Sequence, residues 1–143
     1  QKKLIDINYH IYGSPKYLEK HGFPKSTSDL NKHSFISFGR GAPSPVYNPD
    51  WALKLGTKDN KKRKTVMKVN SVYGLLLAVQ SGVGLAALPD YITVNQPNIV
   101  KVLPNIEGPI TEAHFVYPQS MKNVARVQAF RNFLYSKISE WEF

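Results

Sequence analysis

The chain has no cysteine among its 143 residues. That excludes a disulfide framework and any zinc site built on thiolates. No apolar run approaches the roughly 20 residues of a membrane span, and the chain moves from Gln1 straight into charged residues, so no signal-peptide pattern is visible. Acids are scarce, ten Asp and Glu against nineteen Lys and Arg. They offer no close pair in an obvious strand-end setting, which leaves acid–base catalysis without specific support. The four histidines, His10, His21, His33 and His114, never pair at i+3 or i+4 and fall in no metal-ligand spacing, so no metal is expected. Nucleophile-elbow, phosphate-loop and kinase signatures are missing too. Gly82 to Ala87 formally matches GxGxxA, but a dinucleotide fingerprint follows a strand and opens a helix, and here the order is reversed. No cofactor is therefore expected.

What is present is a globular composition, 42% hydrophobic and 20% charged, long enough for one domain with a core. The chain is organised around VNSVYGLLLAVQSGVGLAALPDYI, Val69 to Ile92. Val72, Leu75, Leu76 and Val79 recur at helical spacing on one apolar face. Asn70 and Ser71 are N-cap types just ahead of it, and Gly82 falls where a left-handed residue would end the helix. Val83 to Leu88 then runs apolar, as a strand buried on both faces would, and Pro89 closes it. A helix opening from Asn-Ser presents free N–H groups that suit an anion; plain capping explains the same residues.

The net charge of +9 is local. Between Lys54 and Lys68 there are seven basic residues and one acid, Asp59, which carry two thirds of the excess. No aromatic residue interleaves them, which argues against a single-strand nucleic-acid surface. The cluster reads as the solvated tip of a β-hairpin, with a phosphate or DNA-backbone contact as the alternative.

Leu4 to Tyr12 alternates apolar and polar residues, predicting one strand with a single buried face. Ser14-Pro15 opens a short helix over Pro15–His21 that Gly22 ends. Ser26 and Asp29 resemble a capping box before a second short helix around Asp29 to Lys32. Phe35–Phe38 reads as a strand and Gly39 to Pro49, with three prolines and two glycines, as a loop. Trp51–Leu55 and Thr65–Val69 both alternate and predict the hairpin. Strands are expected at Ile99–Leu103 and His114–Tyr117. A final helix from about Asn123 to Glu140 would carry Val127, Phe130, Leu134, Ile138 and Trp141 on one stripe, docked on something.

Three segments carry a resemblance: SPKYLEKHGFPKSTSDLNKHSFISF (Ser14 to Phe38), VNSVYGLLLAVQSGVGLAALPDYI, and FVYPQSMKNVARVQAFRNFL (Phe115 to Leu134), with a Trp-containing hairpin expected between the first two. In this order they resemble the effector-binding (substrate-binding) domain of LysR-type transcriptional regulators, truncated at its N-terminal side. ARVQAF departs mildly from the commoner KVRAF spacing. The resemblance implies an α/β fold similar to type 2 periplasmic binding proteins, here one complete lobe plus a remnant of the other. Residues 14–109 would be the second lobe, and 1–13 and 110–143 crossover strands and the remnant of the first. It implies a bacterial, cytoplasmic transcription regulator and not an enzyme. A small, anionic effector would bind between the lobes, against Phe38, Gly39, Arg40, Val69, Asn70, Ser71 and Val72. DNA would be met only through a helix-turn-helix in a missing N-terminal domain, the full-length protein would be a homo-oligomer, and no membrane is involved. Two alternatives stand beside it: an extracytoplasmic solute-binding protein of the same fold, and an enzyme built on that fold.

Overall fold

The computed structural model describes residues 1–39, 48 and 50–141. Its frame is one strand, β2 (Tyr9–Gly13), buried along its whole length. β2 lies between β5 (Ala86–Pro89) and β6 (Val100–Val102), antiparallel to both. Beside β5, β3 (Phe35–Phe38) pairs in parallel with β4 (Thr65–Val69). A parallel bridge between Phe35 and Leu85 couples that pair to the segment entering β5, with Ile36 N donating to Leu85 O at 2.8 Å and Leu85 N to Ser34 O at 2.9 Å.

Alternation along the strands feeds two apolar layers. On one face Tyr9, Ile11, Phe35 and Leu85 pack with Tyr17 and Leu18 of α1 (Pro15–His21), with Leu30, and with Trp51, Ala52 and Leu53 of α2 (Trp51–Lys54). On the other, Tyr12, Ile36, Ala86 and Leu88 pack with Leu75, Leu76 and Val79 of α3 (Val72–Gln80). Leu76 and Val79 are essentially fully buried, each stabilising the fold by about 1.5–3 kcal/mol relative to an exposed side chain.

Local signals explain the element ends. Ser14 Oγ accepts from Tyr17 N at 3.2 Å, Pro15 occupies the first turn of α1, and Gly22 follows it at φ 87°. Ser71 Oγ accepts from Gly74 N at 3.2 Å, and Gly82, past the end of α3, has φ 80°. The expected capping box is half realised. Asp29 Oδ2 accepts from Ser26 N and Lys25 N, both at 3.0 Å, while Ser28, ahead of the 3₁₀ turn Asp29–Lys32, makes no side-chain cap.

Three expectations are corrected. Leu4 to Tyr12 is not one strand: β1 (Lys2–Ile7) ends before Asn8 and pairs with β7 (Thr111–Phe115), while β2 enters the other sheet. The in-out alternation holds in β1, where Asp6 is exposed and Ile5 and Ile7 are half-buried, but fails in β2, where His10 is buried as well. The hairpin does not form. Trp51–Lys54 is a helical turn that buries three consecutive side chains, and β4 arrives parallel to β3, which requires a crossover rather than a tight turn. The last helix, α4 (Ala125–Ser139), has no buried residue: Val127, Leu134 and Ile138 are half-buried while Phe130 and Trp141 of the same stripe are exposed. It rests against β1 and β7 through a bond from Tyr135 Oη to Lys3 O at 2.8 Å and a ring contact of Phe130 with Phe115.

Candidate functional site

β3 and β4 run in parallel and end side by side, and ligands of open α/β sheets bind outside the carboxyl ends of such strands. Beyond these ends lies a cleft lined by Tyr9, Ile36, Ser37, Phe38, Val72, Leu75, Ala87 and Pro89. Its cavity volume is small, about 30 Å³. The lining side chains are mainly apolar and none is charged at neutral pH. Tyr9 is buried, and burial pushes its phenol above the ordinary range, so it stays protonated.

The turn from β4 into α3 supplies the polar end. Gly39 N donates to Val69 O at 2.8 Å, which holds the exit of β3 against Val69. At Gly39 a Cβ would lie 3.6 Å from Asn70 Cβ, so the two turns are in close contact. Gly74 is required by packing: a Cβ there would lie 2.6 Å from Val69 Cγ1, and that contact sets how closely the first turn of α3 approaches β4. Ser71 Oγ caps Gly74 N and Ser71 O accepts from Leu75 N at 3.0 Å. The N–H groups of Val72 and Tyr73 have no intrahelical acceptor, and they carry the positive end of the helix dipole.

Of the predicted residues, Phe38 and Val72 line the cleft and Gly39, Val69 and Asn70 form the contact beside it. Asn70 and Ser71 are exposed rather than packed inside. Arg40 lies outside the described residues. Sequence reasoning missed Tyr9, Ser37, Ala87 and Pro89, and counted Ile36 and Leu75 only as core or strand. Ser37 is the informative one: it is 6% exposed, it lines the cleft, and no hydrogen-bond partner reaches its hydroxyl among the described residues. The signal was one hydroxyl inside the otherwise apolar FISF strand.

Next to Pro89 stands the buried carboxylate of Asp90. It accepts from His10 Nδ1 at 2.8 Å, Tyr12 Oη at 2.9 Å and Lys101 Nζ at 3.0 Å, and Asp90 N donates to Asn8 O at 3.0 Å. This network ties β2, β6 and the Asn8 crossover to the end of β5 behind the cleft. Among the described residues no group of three His, Cys, Asp or Glu side chains could hold a metal ion, and no helix is long and apolar enough to cross a membrane.

Strands packed between helices, with an apolar cleft and a helix N-terminus at the carboxyl ends of β3 and β4, define an α/β fold. The chain belongs to the LysR substrate binding domain family, which matches residues 1–138. An uncharacterised helix-turn-helix-type transcriptional regulator of Haemophilus influenzae is 30% identical over 121 residues, covering 82% of this chain and 41% of the relative. The regulator CrgA of Neisseria meningitidis is 25% identical over 141 residues, covering 96% of this chain and 46% of CrgA. The chain thus spans less than half the length of the curated relatives it matches. The structure of the CrgA regulatory domain superposes with TM-score 0.72 at 23% identity, covering 96% of this chain and 67% of that one. The effector domain of AmpR from Pseudomonas aeruginosa superposes with TM-score 0.67 at 19% identity, covering 96% and 64%. The fold is therefore the α/β architecture of LysR regulatory domains, similar to type 2 periplasmic binding proteins.

Proposed function

We propose that this chain senses a small anionic effector, held between two lobes, and passes its occupancy to a helix-turn-helix outside the chain. In this reading residues 14–109 form one lobe, and 1–13 and 110–143 supply crossovers and part of the other. The effector seat comprises Phe38, Gly39, Arg40, Val69, Asn70, Ser71 and Val72, with Ser37 added. The full-length regulator works as a homo-oligomer in the cytoplasm.

The observation that supports it most is the pairing of Ser37, whose hydroxyl lines the cleft, with the open first turn of α3 at the rim of the same apolar cleft. A carboxylate would accept from that hydroxyl and from helix N–H groups, where charge-assisted bonds are the stronger kind. The apolar walls at the mouth of the cleft would meet the hydrocarbon part of such a ligand, which the other lobe would cover. Linkage then lets occupancy shift the balance between two arrangements of the regulator. No observation favours a periplasmic solute carrier over this reading.

The test is a thermal-shift series with acetate, butyrate, hexanoate and benzoate, and benzamide as the neutral control. Carboxylates with an apolar body should raise the midpoint, acetate and benzamide less so. A ligand at 100 times its Kd stabilises by about 2.7 kcal/mol. Equal shifts for benzoate and benzamide would refute the anionic seat.

A further inference from the structure

The lysine cluster is not a hairpin tip but a fixed part of the fold, and we propose that it binds the phosphate backbone of duplex DNA. The inference rests on reading the chain as part of a DNA-bound regulator. It leaves base reading to the helix-turn-helix outside the chain and adds a sequence-independent contact from this one.

The segment between α2 and β4 is pinned by Arg63. Its backbone N donates to Leu53 O at 2.9 Å. Its guanidinium donates to Asn31 Oδ1 at 2.9 Å and to Ala52 O and Thr27 O at 3.1 Å each, and it sits 5.7 Å from the centre of the Phe35 ring. Arg63 is therefore structural, and the lysines around it are displayed on a frame. Together with Asn31 and Thr57 they line a shallow concavity formed by Lys58, Lys61, Lys62, Arg63 and Lys64. Three carboxylates are close in sequence or space: Asp50, which pairs with Lys62, the exposed Asp59, and Asp29, which lies between Thr27 and Asn31 and accepts from Lys25 N and Ser26 N. Among the described residues Lys58, Lys61 and Lys64 have no carboxylate partner.

Like charges held together on a fixed frame repel one another, and an external polyanion offsets that cost. The lining decides which polyanion. It contains no apolar or aromatic side chain, whereas the buried core of a protein–protein interface is apolar and aromatic-rich. Protein–DNA interfaces are polar and strongly positive. Lysine ammonium groups act as point charges toward phosphates without reading bases, and the lack of an aromatic stacking platform disfavours single strands.

The experiment compares two variants of equal net charge. One is Lys58→Gln, Lys61→Gln and Lys64→Gln together; the control is Lys16→Gln, Lys20→Gln and Lys122→Gln, exposed lysines elsewhere. Binding to a random-sequence 20-bp duplex is read by fluorescence anisotropy across a salt series, and thermal midpoints confirm that both variants fold. The inference expects the patch variant to lose about tenfold or more in affinity at low salt and its salt dependence to flatten by up to about 0.9 per lost phosphate contact. The control should lose less than about threefold by the same counterion argument. Equal losses in both variants, or undiminished binding by the patch variant, overturn it. So does a poly-glutamate peptide or inorganic triphosphate binding the patch while the duplex does not. This readout is independent of the cleft: carboxylates failing to bind there would refute the effector reading and leave the DNA contact standing.

Discussion

Replacing Asp90 by alanine should cost about 2–6 kcal/mol of stability, about 1–3 kcal/mol for each of the two buried donors it leaves with a lost partner. Asp90 is 4% exposed, and three side chains converge on its carboxylate. Removing it leaves His10, which is buried, without its Nδ1 partner, and leaves Tyr12 Oη with the bond it accepts from Thr93 Oγ1 at 3.1 Å. Lys101 loses less, because its side chain is 38% exposed and can turn to water. Asp90→Asn keeps the shape and one acceptor, so it should cost about 1.5–3 kcal/mol, the range for bonds to a charged group. Asp59→Ala, at an exposed position, should stay within about 0.5 kcal/mol. Urea unfolding followed by far-ultraviolet circular dichroism reads all three, and an unchanged slope would confirm that the folded state alone is affected. Against a typical stability of about 5–15 kcal/mol, the alanine variant would be marginal. A loss below about 1 kcal/mol would refute the claim that this network holds β2, β6 and the crossover together.

Two further predictions rest on local chemistry. Ser14→Ala removes the Oγ that accepts from Tyr17 N and should cost about 1 kcal/mol by the same unfolding assay. His33 lies below its ordinary value of 6.5, first because burial disfavours the imidazolium and then because of His21; its Nδ1 is buried without a partner. The unfolded chain therefore takes up that proton first. Stability should be full above about pH 6.5 and fall as pH drops through the unfolded and then the folded value. His33→Gln should flatten that part of the pH profile, and an unchanged profile would contradict the assignment.

The parts legible in the sequence were those where several local signals agree. α3 has a cap, an apolar period and a left-handed glycine, and it lies where they place it. α1 is fixed in the same way by Ser14, Pro15 and Gly22. WALKL failed because five residues alternate equally well in a strand and in one helical turn, and only the partner strand decides. β4 takes β3 as that partner, a pairing between distant segments that no local pattern encodes. Asn8 was invisible for a related reason: periodicity continues across it while the chain changes sheets. At the cleft, the rim residues Phe38 and Val72 were reachable through the family resemblance. Ser37 was not, because a serine in a buried strand is usually a satisfied one, and its missing partner shows only in three dimensions.

The most direct test of a sensing surface at the front of α3 is an amide chemical-shift map of the ¹⁵N-labelled chain titrated with benzoate, which registers even millimolar binding. Saturable shifts should concentrate at Ser37, Phe38 and Gly39 and at Ser71, Val72 and Tyr73, and Ser37→Ala should weaken the titration without lowering the thermal midpoint. Saturable shifts confined to other surfaces, or a Ser37→Ala variant that titrates like the parent, would contradict it.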